Sequence, residues 1–154
     1  MRQRMTSREL AVWRSLIDTT EDLRRLLAAQ LARDSNLSPG DYQVLLALSE
    51  AEGRRLRSSE LATAIDWERS RLSHHLGRMQ RRGLIERVDC ATDSRGAEVL
   101  LTEEGAHTFR GATTPHMRAI KAHFADALTP EQFDALADVL GALRNHLHAP
   151  EPHP

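Results

Sequence analysis

The sequence predicts a mainly α-helical protein with one small β-hairpin, and three observations carry that prediction. Apolar residues recur every three or four positions over most of the chain, the period of a helix with one buried face. Between residues 84 and 101 the period drops to two, that of a half-buried strand. Serine, threonine, proline and glycine punctuate the pattern where helices should start and stop.

The first helix is expected over residues 6–33, with Leu10, Trp13, Ile17, Thr20, Leu23, Leu27 and Leu31 on one face. Asn36 to Gly40 breaks it. Ser38 is a good N-cap and Pro39 suits the first helical position, so a second helix follows through Tyr42, Leu45, Leu46 and Leu48. Ser58 and Ser59 read as a serine cap before a short helix over 59–64, buried through Leu61, Ala62 and Ile65. After Asp66-Trp67 comes a helix over 68–82, apolar at Leu72, Leu76 and Met79, with Gly83 where a left-handed C-cap belongs.

Residues 84–88 and 97–101 form two strands around a polar loop, 89–96. The next helix starts after Thr102, and Pro115 should kink or restart it. Met117, Ile120, Phe124 and Leu128 give it an apolar face. Thr129-Pro130-Glu131-Gln132 caps a last helix carried by Phe133, Leu136, Val139 or Leu140, Leu143 and Leu147. Two short helices followed by a hairpin make a winged helix-turn-helix over 36–102. The helices of 1–35 and 103–149 flank it, and 150–154 is a tail. All of this is expected to form a single domain over 1–154.

Charge is divided unevenly. The chain carries −1 overall, but residues 54–95 hold ten arginines against six carboxylates, so that block is +4 and the remainder −5. A basic head on an acidic body suits a partner rich in phosphate. Arginine as the sole basic residue of the block suits bidentate contact with phosphates and guanines. Aromatic residues make up 4%, which speaks against a stacking platform for single strands. No apolar run approaches the roughly 20 residues that span a bilayer. The polar N-terminus reads as no signal peptide, and a single cysteine fits a reducing cytoplasm.

The residues in this order resemble the MarR family of bacterial transcriptional regulators. The likeness lies in Ser59-Glu60-Leu61-Ala62, in the run from Arg71 to Met79, in Arg82-Gly83-Leu84-Ile85-Glu86-Arg87, in Asp93-Ser94-Arg95-Gly96, and in Val99 to Thr102 with Gly105. It implies a homodimer whose first and last helices intertwine, a palindromic double-stranded operator, and a small molecule or oxidant that controls DNA release.

The candidate DNA-binding residues are then Ser58, Ser59, Arg69, Ser70, Arg71, Ser73, His74, His75 and Arg78, expected on or beside the exposed face of the helix-turn-helix. Arg95, at the hairpin tip, is expected to enter the minor groove. Asp93 would be repelled by phosphates, so its expected role is to orient an arginine by a charge-assisted hydrogen bond. Trp13, Ile17 and Tyr42 are expected to line an effector cleft. No cofactor and no catalytic residue is expected.

Two rival readings are weaker. A metal-dependent enzyme would use the histidines. However, His74 and His75 point about 100° apart on a helix, and neither they nor His116 and His123 complete a tetrahedral set. A non-specific architectural DNA protein would be basic throughout. Cys90 lacks the electropositive setting of a redox sensor.

Overall fold

The computed structural model describes residues 4–89 and 97–149. The element order is α1 (Ser7–Ser35), α2 (Pro39–Glu50), β1 (Arg55–Arg57), α3 (Ser58–Ala64), α4 (Arg69–Arg81), β2 (Ile85–Asp89), β3 (Ala97–Leu101), α5 (Glu103–His123) and α6 (Pro130–Leu147). Single 3-10 turns lie at Glu52–Arg54 and Ala125–Ala127. The chain divides inside α5, between Met117 and Arg118, into two compact units.

In the first unit, α1 opens on a capping box. Thr6 accepts from the Glu9 N–H, and the Glu9 carboxylate accepts from the Thr6 N–H. It ends at Asn36 in the left-handed region (φ 51°), a conformation asparagine tolerates. Ser38 and Asp41 form the same reciprocal box at the start of α2, with Pro39 as first helical residue. The core lies among α2, α3, α4 and the sheet. Val44, Leu45, Leu48, Leu61, Leu76 and Val99 are all at most 1% exposed.

The sheet has three antiparallel strands in the order β1-β3-β2. Arg55, Leu56 and Arg57 pair with Leu100, Val99 and Glu98. The sequence showed no strand here, because three residues are too few to display a period. This pairing explains a second difference. The Ser58 hydroxyl does not cap α3, because it donates to the Ala97 carbonyl at 2.8 Å and ties the helix start to β3. Arg57 takes the N-cap position, its N–H bonded to the Glu60 carboxylate.

The hairpin is joined tightly to α5. The Thr102 hydroxyl donates toward the Gly83 and Leu84 carbonyls and accepts from the Gly105 N–H. A Cβ on Gly105 would lie 2.0 Å from the Leu84 oxygen, so only glycine fits this approach. Helix α5 continues through Pro115 without restarting. Met117 lies at the boundary and is exposed.

In the second unit, Thr129 caps α6 with Gln132 as its reciprocal partner, and Phe124 packs on Phe133 with ring centroids 5.8 Å apart. Helix α6 leaves Val139, Leu140, Leu143 and Leu147 exposed. Among the described residues, no helix is long and apolar enough to cross a membrane.

Candidate nucleic-acid interface and adjoining cleft

Helix α4 is the chemical centre of the first unit. Its sequence alternates apolar residues at 72, 76 and 79 with arginine, serine and histidine. It therefore buries one stripe and presents the rest. Glu68 caps it, accepting from the Arg71 N–H at 3.2 Å and from the Ser70 hydroxyl. Those bonds, chiefly from Ser70, hold the Glu68 carboxyl below its usual range. Beyond that cap, α4 itself carries four arginines and no carboxylate.

The predicted residues fall into three groups around α4. Ser59 and Arg69 border one hollow with Thr63, Trp67 and Glu68. Ser73, His74 and Arg78 border another, together with Arg81 and Arg87. Arg78 lines a larger cleft of about 1000 Å³ as well, together with Arg71. Ser70 is exposed but bonded back to Glu68. Asp93, Arg95 and Cys90 lie outside the described residues.

His75 does not belong to the exposed face. It is 8% exposed, sits among the buried residues of α4, and approaches Asp41 with Nε2 at 2.9 Å from Oδ1. The physical reason is helical period. Position 75 lies between 72 and 79 at spacings of three and four, inside the apolar arc. Asp41 is buried with it, and burial alone would raise its carboxyl pKa. Contacts from His75, the Ser38 N–H and Arg82 outweigh burial and hold the carboxyl well below the usual carboxylate range. Arg82 donates to Asp41 Oδ2 at 2.7 Å and also reaches the Asn36 carbonyl.

Trp67, in the turn before α4, reads in the sequence only as part of a break between helices. Its ring lies under the Arg71 guanidinium, 4.0 Å from the centroid, a cation–π contact. It also makes a T-shaped contact with His75, with ring centroids 5.1 Å apart. Gly40 makes room for both. A Cβ there would stand 2.7 Å from Trp67 and 3.0 Å from His75.

Of the three residues assigned to an effector cleft, Tyr42 lines this one and Trp13 and Ile17 do not. Its α1 wall begins at Arg24 and runs through Leu27 to Leu31. Trp13 stands eleven residues earlier, about 16 Å along the helix axis, and is 53% exposed. Tyr42 packs against Phe109 and His116, with ring centroids 5.1 and 4.7 Å away. Burial lowers the His116 pKa, favouring its neutral form. Its Nδ1 is buried and without a hydrogen-bond partner. Among the described residues, no group of three or more histidine, cysteine or carboxylate side chains is gathered closely enough to hold a metal ion.

Residues 35–96 match the model of the MarR family. The chain is similar to Sco3205, a MarR family transcriptional regulator from Streptomyces coelicolor solved in complex with DNA. Identity is 36%, coverage 99% of this chain and 96% of that one, with a TM-score of 0.85. It is similar to AbsC, a MarR family regulator from the same organism, at 35% identity over 96% of this chain and 99% of that one, with a TM-score of 0.83. The chain belongs to the MarR family. It is also similar to YetL, an HTH-type transcriptional repressor of Bacillus subtilis strain 168, at 25% identity over 90% of this chain and 81% of that one. The protein is thus a transcriptional regulator of the MarR family, and α3, α4 and the β2–β3 hairpin are its winged helix-turn-helix.

Proposed function

We propose that this MarR family regulator is a cytoplasmic, homodimeric repressor that reads a palindromic operator with α4. The observation that carries this reading is the composition of α4, in which Arg69, Arg71, Arg78 and Arg81 present four positive charges with no carboxylate on the same helix. Arg71 and Arg69, in its first turn, are the base-reading candidates, since the start of the second helix in such motifs enters the major groove. Ser59, Ser70, Ser73 and His74 add hydrogen-bonding groups, and Arg81 and Arg87 add phosphate contacts. Arg95 remains the candidate for the minor groove, and Asp93 the candidate for orienting an arginine, either Arg95 or one on α4. Ser58 serves the fold through Ala97 and is a lesser candidate. The DNA complex of the similar protein Sco3205 and the repressor role of YetL support the same reading.

Dimerisation is supported by Leu10, Trp13 and Leu16 on α1 and by the apolar stripe of α6, all exposed in the single chain. Operator repeats are then expected about 10 base pairs apart, or a multiple of it. The test is selection of duplexes from a random pool by the purified protein. Enrichment of an inverted repeat supports the reading, and salt-sensitive binding without sequence preference overturns it.

A second role is supported by the cleft. Arg24 and Arg71 are cationic, Trp67 and Tyr42 are flat and apolar, and His116 Nδ1 lacks a partner. That set suits an aromatic carboxylate, which would engage Arg71 and thereby draw it from DNA. A ligand changes operator affinity only if it binds the two arrangements unequally. Titration of the DNA complex with a panel of benzoates tests this. Ligands that bind yet leave the complex intact would remove the effector role.

A further inference from the structure

We infer that His75 is a positioning residue for DNA recognition, locked in a single tautomer so that it holds the Arg78 guanidinium in place. The inference rests on the reading of α4 as the DNA-facing helix. His75 Nδ1 lies 2.9 Å from the Arg78 guanidinium. A guanidinium only donates, so Nδ1 must accept. The ring proton is therefore on Nε2, which faces the Asp41 carboxylate at 2.9 Å, close though bent off the ideal hydrogen-bond line. Both ends of the ring demand the same tautomer.

The surroundings leave the ring little freedom. Asp41 cannot swing away, because its other oxygen is held by Arg82 and by the Ser38 N–H of the α2 cap. Trp67 stands against the ring in a T-shaped arrangement, at an interplanar angle of 88°. Gly40 closes a further side, with no space for even a methyl group. Arg78 itself is exposed and lines the basic hollow with His74, Arg81 and Arg87. A buried histidine thus fixes the reach of an exposed arginine that would otherwise sample many rotamers.

The experiment uses the two amide isosteres of histidine. Asparagine places an acceptor near the position of Nδ1 and loses the Asp41 contact. Glutamine reaches the position of Nε2 and loses the acceptor for Arg78. On a duplex selected by the wild-type protein, His75→Gln is expected to bind about fivefold more weakly, the effect of leaving one long side chain to be immobilised on binding. His75→Asn should regain much of that loss despite a lower melting temperature. In the Arg78→Ala background, His75→Gln should cost no further affinity. Equal losses in His75→Gln and His75→Asn, or a full additional loss in the Arg78→Ala background, would show that His75 acts only through the fold. Wild-type affinity in His75→Gln overturns the inference directly. Wild-type affinity in Arg78→Ala overturns the placement of Arg78 on DNA, and the inference with it.

Discussion

Arg71 and Trp67 form a stacked pair at the mouth of α4, with the guanidinium 4.0 Å from the ring centroid. The stack holds a cation near the helix start without consuming its hydrogen-bond donors, because the ring face offers charge density and no acceptor. Arg71→Ala is expected to weaken operator binding by roughly 1–3 kcal/mol and to relax preference at one position in each half-site. Trp67→Ala keeps the arginine but frees it, so it should lose affinity by a smaller factor at the same position. Titration of matched and scrambled duplexes at several salt concentrations checks both. Uniform losses across all sequences would mean that Arg71 touches phosphate alone.

Acid should weaken the fold through Asp41. Its carboxyl pKa is depressed in the folded state, so its contribution is complete above the unfolded value, about 4, and is lost as pH falls below that toward the depressed one. Thermal melts of the wild type and Asp41→Asn should therefore differ most near neutral pH and converge in acid. Removing one member of a buried ion pair costs about 3 kcal/mol, which sets the neutral gap expected for Asp41→Ala. Parallel curves across the whole pH range would contradict the assignment.

Two glycines of α5 should respond oppositely to alanine. Gly105 faces the Leu84 carbonyl, whereas a Cβ on Gly111 meets nothing within 4 Å. Gly105→Ala is expected to destabilise by about 1–3 kcal/mol or more through overpacking. Gly111→Ala should be stabilising by up to about 1 kcal/mol, the helix propensity difference. Chemical denaturation of both variants tests the contrast.

The stripe on α6 predicts the behaviour of charge insertions. Leu140→Glu and Leu143→Glu replace half-exposed leucines, at 43% and 45%. If a second copy covers them, each substitution appears twice in the dimer and should shift it toward monomer or aggregate in sedimentation. An unchanged dimer would place the contact elsewhere.

Much of this molecule was legible because helical period and cap chemistry are local. Ser38-Pro39 and Thr129-Pro130 announced their helices, and Leu72, Leu76 and Met79 oriented α4. What escaped depended on partners far along the chain. Strand β1 exists only because β3 pairs with it. Asp41 has no visible purpose until Arg82, forty-one residues later, closes on it. Trp67 read as a break between helices, and only the packed turn reveals it as a wall of the cleft. His75 is different, since its place within the 72–79 arc was readable. A polar residue type drew attention from the spacing.

The joint at Thr102 behaves as a gear without backlash. One residue, Thr102, separates β3 from α5, its hydroxyl ties the first turn of α5 to the Gly83 and Leu84 carbonyls that lead into β2, and the Gly105 backbone already rests on the Leu84 carbonyl. Such a contact cannot absorb a rotation by compressing, because packed interiors transmit strain. A five-residue strand is about 16 Å long. Turning the first turn of α5 by about 5° would then carry the Ala97 end of β3 some 1.4 Å sideways, by lever-arm geometry over that length. That stroke is enough to take a donor out of hydrogen-bonding range, so the setting of one helical turn fixes where the Ala97 end of β3 lies.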